Sequence, residues 1–192
     1  MRTRGHGWRG TIAVLAFASG VGLLAAACST SPARGARGST TTTTRPPLPA
    51  GALPSDVSKM VCAEKTQSEL ANVLGVSPQQ PVSPTWADHQ YTCRFAYSSG
   101  QLVLTVKELS SWSETLSYFH GLGSQLGDTG SLSGLGQGAF TTQNGSVVAR
   151  KDWKVLLVDI SGLPAQFGVP ATSSADVADT VADVIMGCWA GD

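Results

Sequence analysis

Proton-transfer chemistry near neutral pH falls most readily to histidine, and this chain has three, His6, His89 and His120. Ser111, His120 and Asp88 supply the residue types of a nucleophile, a general base and an orienting carboxylate. Their spacing carries no motif, because neither a G-x-S-x-G elbow nor an H-E-x-x-H pair occurs. His120 adjoins Phe119 and reads as a solvent-edge histidine on a helix, while His89 beside Asp88 reads as a loop residue. Cysteines stand at Cys28, Cys62, Cys93 and Cys188 without the C-x-x-C spacing that would suggest a metal site. The run Gly134-Leu135-Gly136-Gln137-Gly138 is G-x-G-x-G ahead of a strand, whereas dinucleotide binding needs G-x-G-x-x-G between strand and helix. It reads as a flexible loop using positive-φ positions. Arg150, Lys151, Trp153 and Lys154 gather cations and an aromatic at an expected hairpin tip. Such a tip can meet an acidic or sugar-like partner by charge and stacking, but the expectation for it is a solvated turn. No catalytic, metal-binding or cofactor-binding set emerges, so the expectation is a non-catalytic chain without a cofactor.

Charge is balanced overall, 13 basic against 13 acidic residues, but it is unevenly placed. Six arginines (Arg2, Arg4, Arg9, Arg34, Arg37 and Arg45) precede residue 56, which leaves 7 basic against 13 acidic residues in 56–192, a net of about −6. An acidic domain lacks the basic footprint that nucleic-acid binding needs. Roughly 137 residues suit one domain with one core.

Arg2, Arg4 and Arg9 precede an apolar stretch, Thr11 to Ala27, that ends Leu23-Leu24-Ala25-Ala26-Ala27-Cys28. The stretch is short for a membrane span, which takes about 20 mostly apolar residues. The segment 1–27 resembles a bacterial lipoprotein signal peptide with a lipobox. That resemblance implies cleavage before Cys28 and acylation of its thiol by palmitate-type chains. The position three residues before the cysteine is Ala25, with Leu24 one place upstream. A plain secretory signal cut after an Ala-x-Ala site is the alternative, and either reading exports the protein. Residues 28–55, rich in Ser, Thr, Pro and Gly, have too little apolar surface to form a core and read as a disordered tether. As a flexible coil, about 27 residues reach roughly 30 Å. Arg34, Arg37 and Arg45 suit weak attraction to anionic headgroups or wall polymers.

The domain, 56–192, must then supply the elements that position any site. Thr66-Gln67-Ser68-Glu69 has capping-box form ahead of Leu70, Val73 and Leu74, with Gly75 as the stop, and residues 56–65 can add a preceding turn or helix. Pro78, Pro81 and Pro84 predict a loop, and the aromatics from Trp86 to Tyr97 predict one strand. Leu102 to Leu109 alternates as its hairpin partner. Ser111-Trp112-Ser113-Glu114 caps a second helix to about Leu126, and the Gly/Ser-rich stretch to Gly138 reads as a loop. Asn144-Gly145 predicts a type I′ hairpin between 139–142 and 146–150, and Lys151-Asp152 a second reversal into 153–160. Thr172 to Ser174 caps a last helix with Val177, Val181, Val184, Ile185 and Cys188 on one face. The order α-β-β-α-β-β-β-α predicts an α+β fold, an antiparallel sheet of about five strands with helices packed mainly on one face.

Cys62, Leu74-Gly75, Cys93 and the segment Gly134-Leu135-Gly136-Gln137-Gly138-Ala139 resemble marks of exported actinobacterial lipoproteins of unknown function. The resemblance covers roughly residues 58–145 and implies a Cys62–Cys93 disulfide, whose loop of about 30 residues would contribute roughly 3 kcal/mol. Cys62–Cys188 is the alternative pairing. With Cys62 joined to Cys93, Cys188 is left as a small buried hydrophobe. The expected function is that of an envelope lipoprotein at the outer face of the cytoplasmic membrane, either held there through Cys28 or released. It would bind a lipid, glycan or protein partner between sheet and helices. The alternative is a small hydrolase or lyase of envelope polymers. An apolar tunnel would favour lipid carriage, and a wet cleft around His89 or His120 would favour catalysis.

Overall fold

The computed structural model describes residues 47–189. The expected signal segment, Cys28 and most of the tether lie outside the described residues. Helix α1, Asp56–Met60, starts at Ser55, whose Oγ accepts from Ser58 N at 3.2 Å. Helix α2, Glu64–Leu74, begins before the expected cap: Ala63 takes the N-cap position, and Thr66 Oγ1 instead donates to the Met60 carbonyl at 2.7 Å. Gly75 stops α2 at φ 65°, a left-handed conformation that costs glycine little.

Strands β1 (Gln79–Ala87), β2 (Gln90–Tyr97) and β3 (Gly100–Glu108) form a meander. The single strand expected over Trp86–Tyr97 is in fact a hairpin, reversed at Asp88 and His89 with φ of 51° and 56°. Helix α3, Trp112–Leu126, keeps its expected bounds; Ser111 Oγ accepts from Glu114 N at 3.2 Å and Glu114 Oε2 from Ser110 N at 2.9 Å. Strands β4 (Asp128–Leu132), β5 (Gly138–Thr142), β6 (Val147–Lys151) and β7 (Lys154–Gly162) follow. The Asn144-Gly145 reversal is wider than a two-residue type I′ turn. Gly145 N donates to the Thr142 carbonyl and Thr142 N to the Ser146 carbonyl, which leaves a three-residue loop with only Gly145 at positive φ. A two-residue ribbon pair, β8 (Gln166–Phe167) and β9 (Thr172–Ser173), leads into α4, Ser174–Cys188. Ser173 caps α4, its Oγ accepting from Asp176 N at 3.1 Å.

The fold is α+β, with one seven-stranded antiparallel sheet in the order β1-β2-β3-β7-β6-β5-β4. Five strands were expected; the two additional ones, β1 and β4, are its edges. Proline is tolerated in β1 because an edge strand has donors to spare. Alternation sends Cys93, Phe95, Leu102, Leu104, Val106, Leu156 and Val158 to one face, where Leu70, Leu74, Val177, Val181 and Ile185 of α2 and α4 meet them. Helix α3 lies on the other face, where Phe119 packs with Phe140, Val148 and Val155. Helices therefore cover both faces, and α3 packs mainly on β5, β6 and β7.

One end of the sheet collects the β1–β2 turn, the end of β3, the start of α3 and the β6–β7 turn. Residues 50–55, the last of the expected tether, are strapped to it. Ala50 N donates to the Leu109 carbonyl at 3.1 Å, Trp86 Nε1 to the Ala52 carbonyl at 3.0 Å and Ser55 N to Glu108 Oε1 at 2.8 Å. Glu108, buried at this strap end, also accepts from Ser58 Oγ at 2.5 Å.

Candidate functional site

A cleft of about 680 Å³ lies between the second half of α3 and the outer strands β4 and β5. Its position follows from small residues. At Gly123 a Cβ would stand 3.6 Å from both Asp128 Cβ and Phe140 Cζ, so glycine leaves that space open. Gly127 ends α3 at φ 73° and lets the chain double back as β4, which closes the far wall. Phe119 and Phe140 form an apolar floor, edge to face at 5.0 Å, and His120, Ser124, Asp128 and Ser131 form a polar rim. His120 is exposed and stands edge-on to Phe119 at 5.6 Å. Ser124 Oγ donates to the His120 carbonyl at 3.2 Å, and Asp128 Oδ1 accepts from Gly130 N at 2.9 Å.

Beside the floor, Arg150 faces Gly138 across the β5–β6 ladder. Its guanidinium carbon lies 4.6 Å from the Trp112 ring centre and 5.5 Å from that of Phe119. Arg150 Nε and Nη1 are buried without a hydrogen-bond partner. A Cβ at Gly138 would lie 3.1 Å from Nε and Nη2, so any larger residue there would push against the stacked guanidinium. The expected solvated turn at 150–154 is corrected: Arg150 stacks inward, Lys154 is buried at 2% exposure and Lys151 Nζ donates to the Trp189 carbonyl.

The three residues that could be written as a triad stand apart. Ser111 is committed as the α3 cap, and His120 lies nine residues on, roughly 13 Å along the axis. Asp88 sits in the β1–β2 turn, where its carbonyl accepts from Lys107 Nζ. His89 is locked in that turn: Nδ1 donates to the Gly51 carbonyl at 3.0 Å and the ring stands against Trp86 at 6.0 Å. Of the two described histidines, only His120 lines the cleft. Asp128 and Ser131 escaped notice because a Gly/Ser-rich stretch reads as a loop, yet it forms an edge strand.

Cys62 and Cys93 form a disulfide, with Cα atoms 5.5 Å apart, that ties the α1–α2 corner to β2. This excludes the Cys62–Cys188 alternative. Cys188 is half-buried, and no described cysteine is free, so the expectation of an unpaired Cys188 is corrected. Among the described residues no group of three or more His, Cys, Asp or Glu could hold a metal ion. No described helix is long and apolar enough to cross a membrane. No family model, curated protein or solved structure matches the chain.

Proposed function

We propose that the chain is an exported, lipid-anchored envelope protein whose domain binds a hydroxyl-rich ligand, a glycan of the envelope, in the cleft beneath α3. The observation that carries this is the lining: His120, Ser124, Ser131 and Asp128 set hydrogen-bonding groups around an open cleft whose floor is the covered edge of the Phe119–Phe140 pair. The cleft is open and polar-rimmed, which suits a glycan better than a buried acyl chain. The sequence supports the address: Cys28 ends the lipobox-like segment, and an apolar-poor spacer follows it. On this reading Cys28 carries the acyl chains, and the bilayer is the protein's standing partner.

The test is amide chemical-shift mapping with soluble peptidoglycan and wall-polysaccharide fragments. Shifts should concentrate at Gly123, Ser131 and Gly138. Gly123→Leu fills the cleft at a helical position without left-handed φ, and it should abolish the shifts while leaving the fold intact. Shifts dispersed elsewhere, or unchanged in that variant, would reject the cleft as the binding site.

A second reading, a small hydrolase or lyase, rests on one observation, His120 on the cleft rim near a carboxylate and two hydroxyls. Release of cleaved fragments by the wild type, lost in His120→Ala with binding retained, would replace the binding reading by this one.

A further inference from the structure

The large exposed apolar side chains fall into two groups, one at the strap end and one (Val73 and Val169) beside the start of α4, and charge differs between those ends. Among the described residues the large exposed apolar side chains are Leu48, Leu53, Val73, Trp112 and Val169. Leu48, Leu53 and Trp112 lie at the strap end, at 49%, 77% and 43% exposure. Trp86 and Trp153 are half-buried at the same end. Indole rings favour the boundary between water and hydrocarbon, where the ring body is sheltered and the N–H stays wet.

Charge follows the same axis. Lys59, Lys107, Arg150, Lys151 and Lys154 lie at the strap end, where Asp56, Asp88, Glu108, Glu114, Asp152 and, across a pocket from Lys151, Asp183 offset them. Among the described residues the far end, with the β2–β3 and β5–β6 turns and the start of α4, carries Asp128, Asp176 and Asp179 and no lysine or arginine. An anionic surface would therefore repel the far end and admit the strap end. The segment from Cys28 to Pro46 lies outside the described residues, and the chain that follows it enters the domain at the strap end.

We infer that the strap end is a bilayer-docking surface: Leu48, Leu53 and Trp112 seat in the lipid interface and the domain stands on its end, with the acidic end outward. This rests on the anchoring reading above. Three apolar side chains bind a membrane weakly alone, but a short tether gives an effective concentration on the order of millimolar, which makes weak docking persistent. The cleft draws its polar rim from the second half of α3 and from β4, so it stays clear of the lipid.

The test places the mature chain, beginning at Cys28 and carrying a hexahistidine tag ahead of it, on vesicles of phosphatidylcholine and phosphatidylglycerol with a nickel-chelating lipid. Attachment then needs no acylation. With brominated acyl chains, tryptophan emission should fall roughly twofold relative to unbrominated vesicles, as interfacial indoles require. The double variant Leu48→Asp, Leu53→Asp should float with the vesicles as the wild type does but lose that quenching; both positions are exposed, and an unchanged circular dichroism spectrum would show the fold kept. Undiminished wild-type emission on brominated vesicles, or equal quenching of the variant, would overturn the docking surface. Failure of labelled palmitate to enter the protein in cells would overturn the anchor alone and leave the vesicle result standing.

Discussion

The two faces of the sheet differ in how completely they are closed. On one, α1, α2 and α4 meet strands β2, β3, β5, β6 and β7, and Phe95, Leu102, Leu104, Val181 and Ile185 are wholly buried. On the other, α3 alone covers β5, β6 and β7. There the buried group shrinks to Leu109, Phe119, Phe140, Val148 and Val155, the cleft opens beside it, and the outward side chains of β2 include exposed Arg94 and Ala96. Close packing on one face carries most of the stability and frees the other to keep a void, a stacked cation and a polar rim.

The largest difference should appear on truncating one phenylalanine on each face. Phe95→Ala should cost about 4 kcal/mol in chemical denaturation, because no water can enter the closed core. Phe119→Ala, next to an open cleft, should cost about 2 kcal/mol. Equal losses would break the contrast between the faces. Next in size, Cys62→Ala with Cys93→Ala should lower stability by about 3 kcal/mol on the chain-entropy account, measured against the wild type without reductant.

Tyr97 sharpens the comparison through pH. Burial against the closed face pushes its hydroxyl up to about 12 from 10.0, and that hydroxyl has no partner. Below pH 10 it is protonated whether the chain is folded or not. As pH rises, the unfolded chain gives up this proton first, so stability falls between pH 10.0 and about 12, by about 3 kcal/mol in total. Tyr97→Phe should remove that alkaline loss. The smallest effect is expected on the open face: Arg150→Met should change stability by about 1 kcal/mol or less, since removing two unpartnered N–H groups offsets the lost stacking. A loss above about 3 kcal/mol would make the guanidinium a structural anchor.

The interior of the sheet was legible and its edges were not. Alternating Leu102, Leu104 and Val106, and the whole of α3 with its Ser111 cap, follow from local pattern because each residue there has one dominant environment. Strands β1 and β4 defeated the same reading for opposite compositional reasons. Pro81 and Pro84 look like loop residues and are tolerated only because β1 has no neighbour on its outer side. Gly130 and Ser131 look like linker and survive in β4 because short, polar edge strands resist aggregation. The site inherited that blindness. His120 was visible, but Asp128 and Ser131 were hidden in an unrecognised strand, and the inward turn of Arg150 depends on Trp112, distant in sequence. The Asp88-His89 reversal was missed because its positive φ values fall on residues without glycine's freedom.

The strap and the disulfide together decide how the domain would answer a mechanical pull. Tension arriving through Pro47 meets first the hydrogen bonds of Ala50, Ala52 and Ser55, which can peel one at a time. Beyond α1 the load reaches Cys62 and passes through the covalent bridge straight to Cys93, on the second strand of the sheet. The intervening loop, with α2 and the edge strand β1, is bypassed and bears no tension. A stretched tether would thus extend the strap as a short sacrificial spring while the proline-bearing edge strand stays paired.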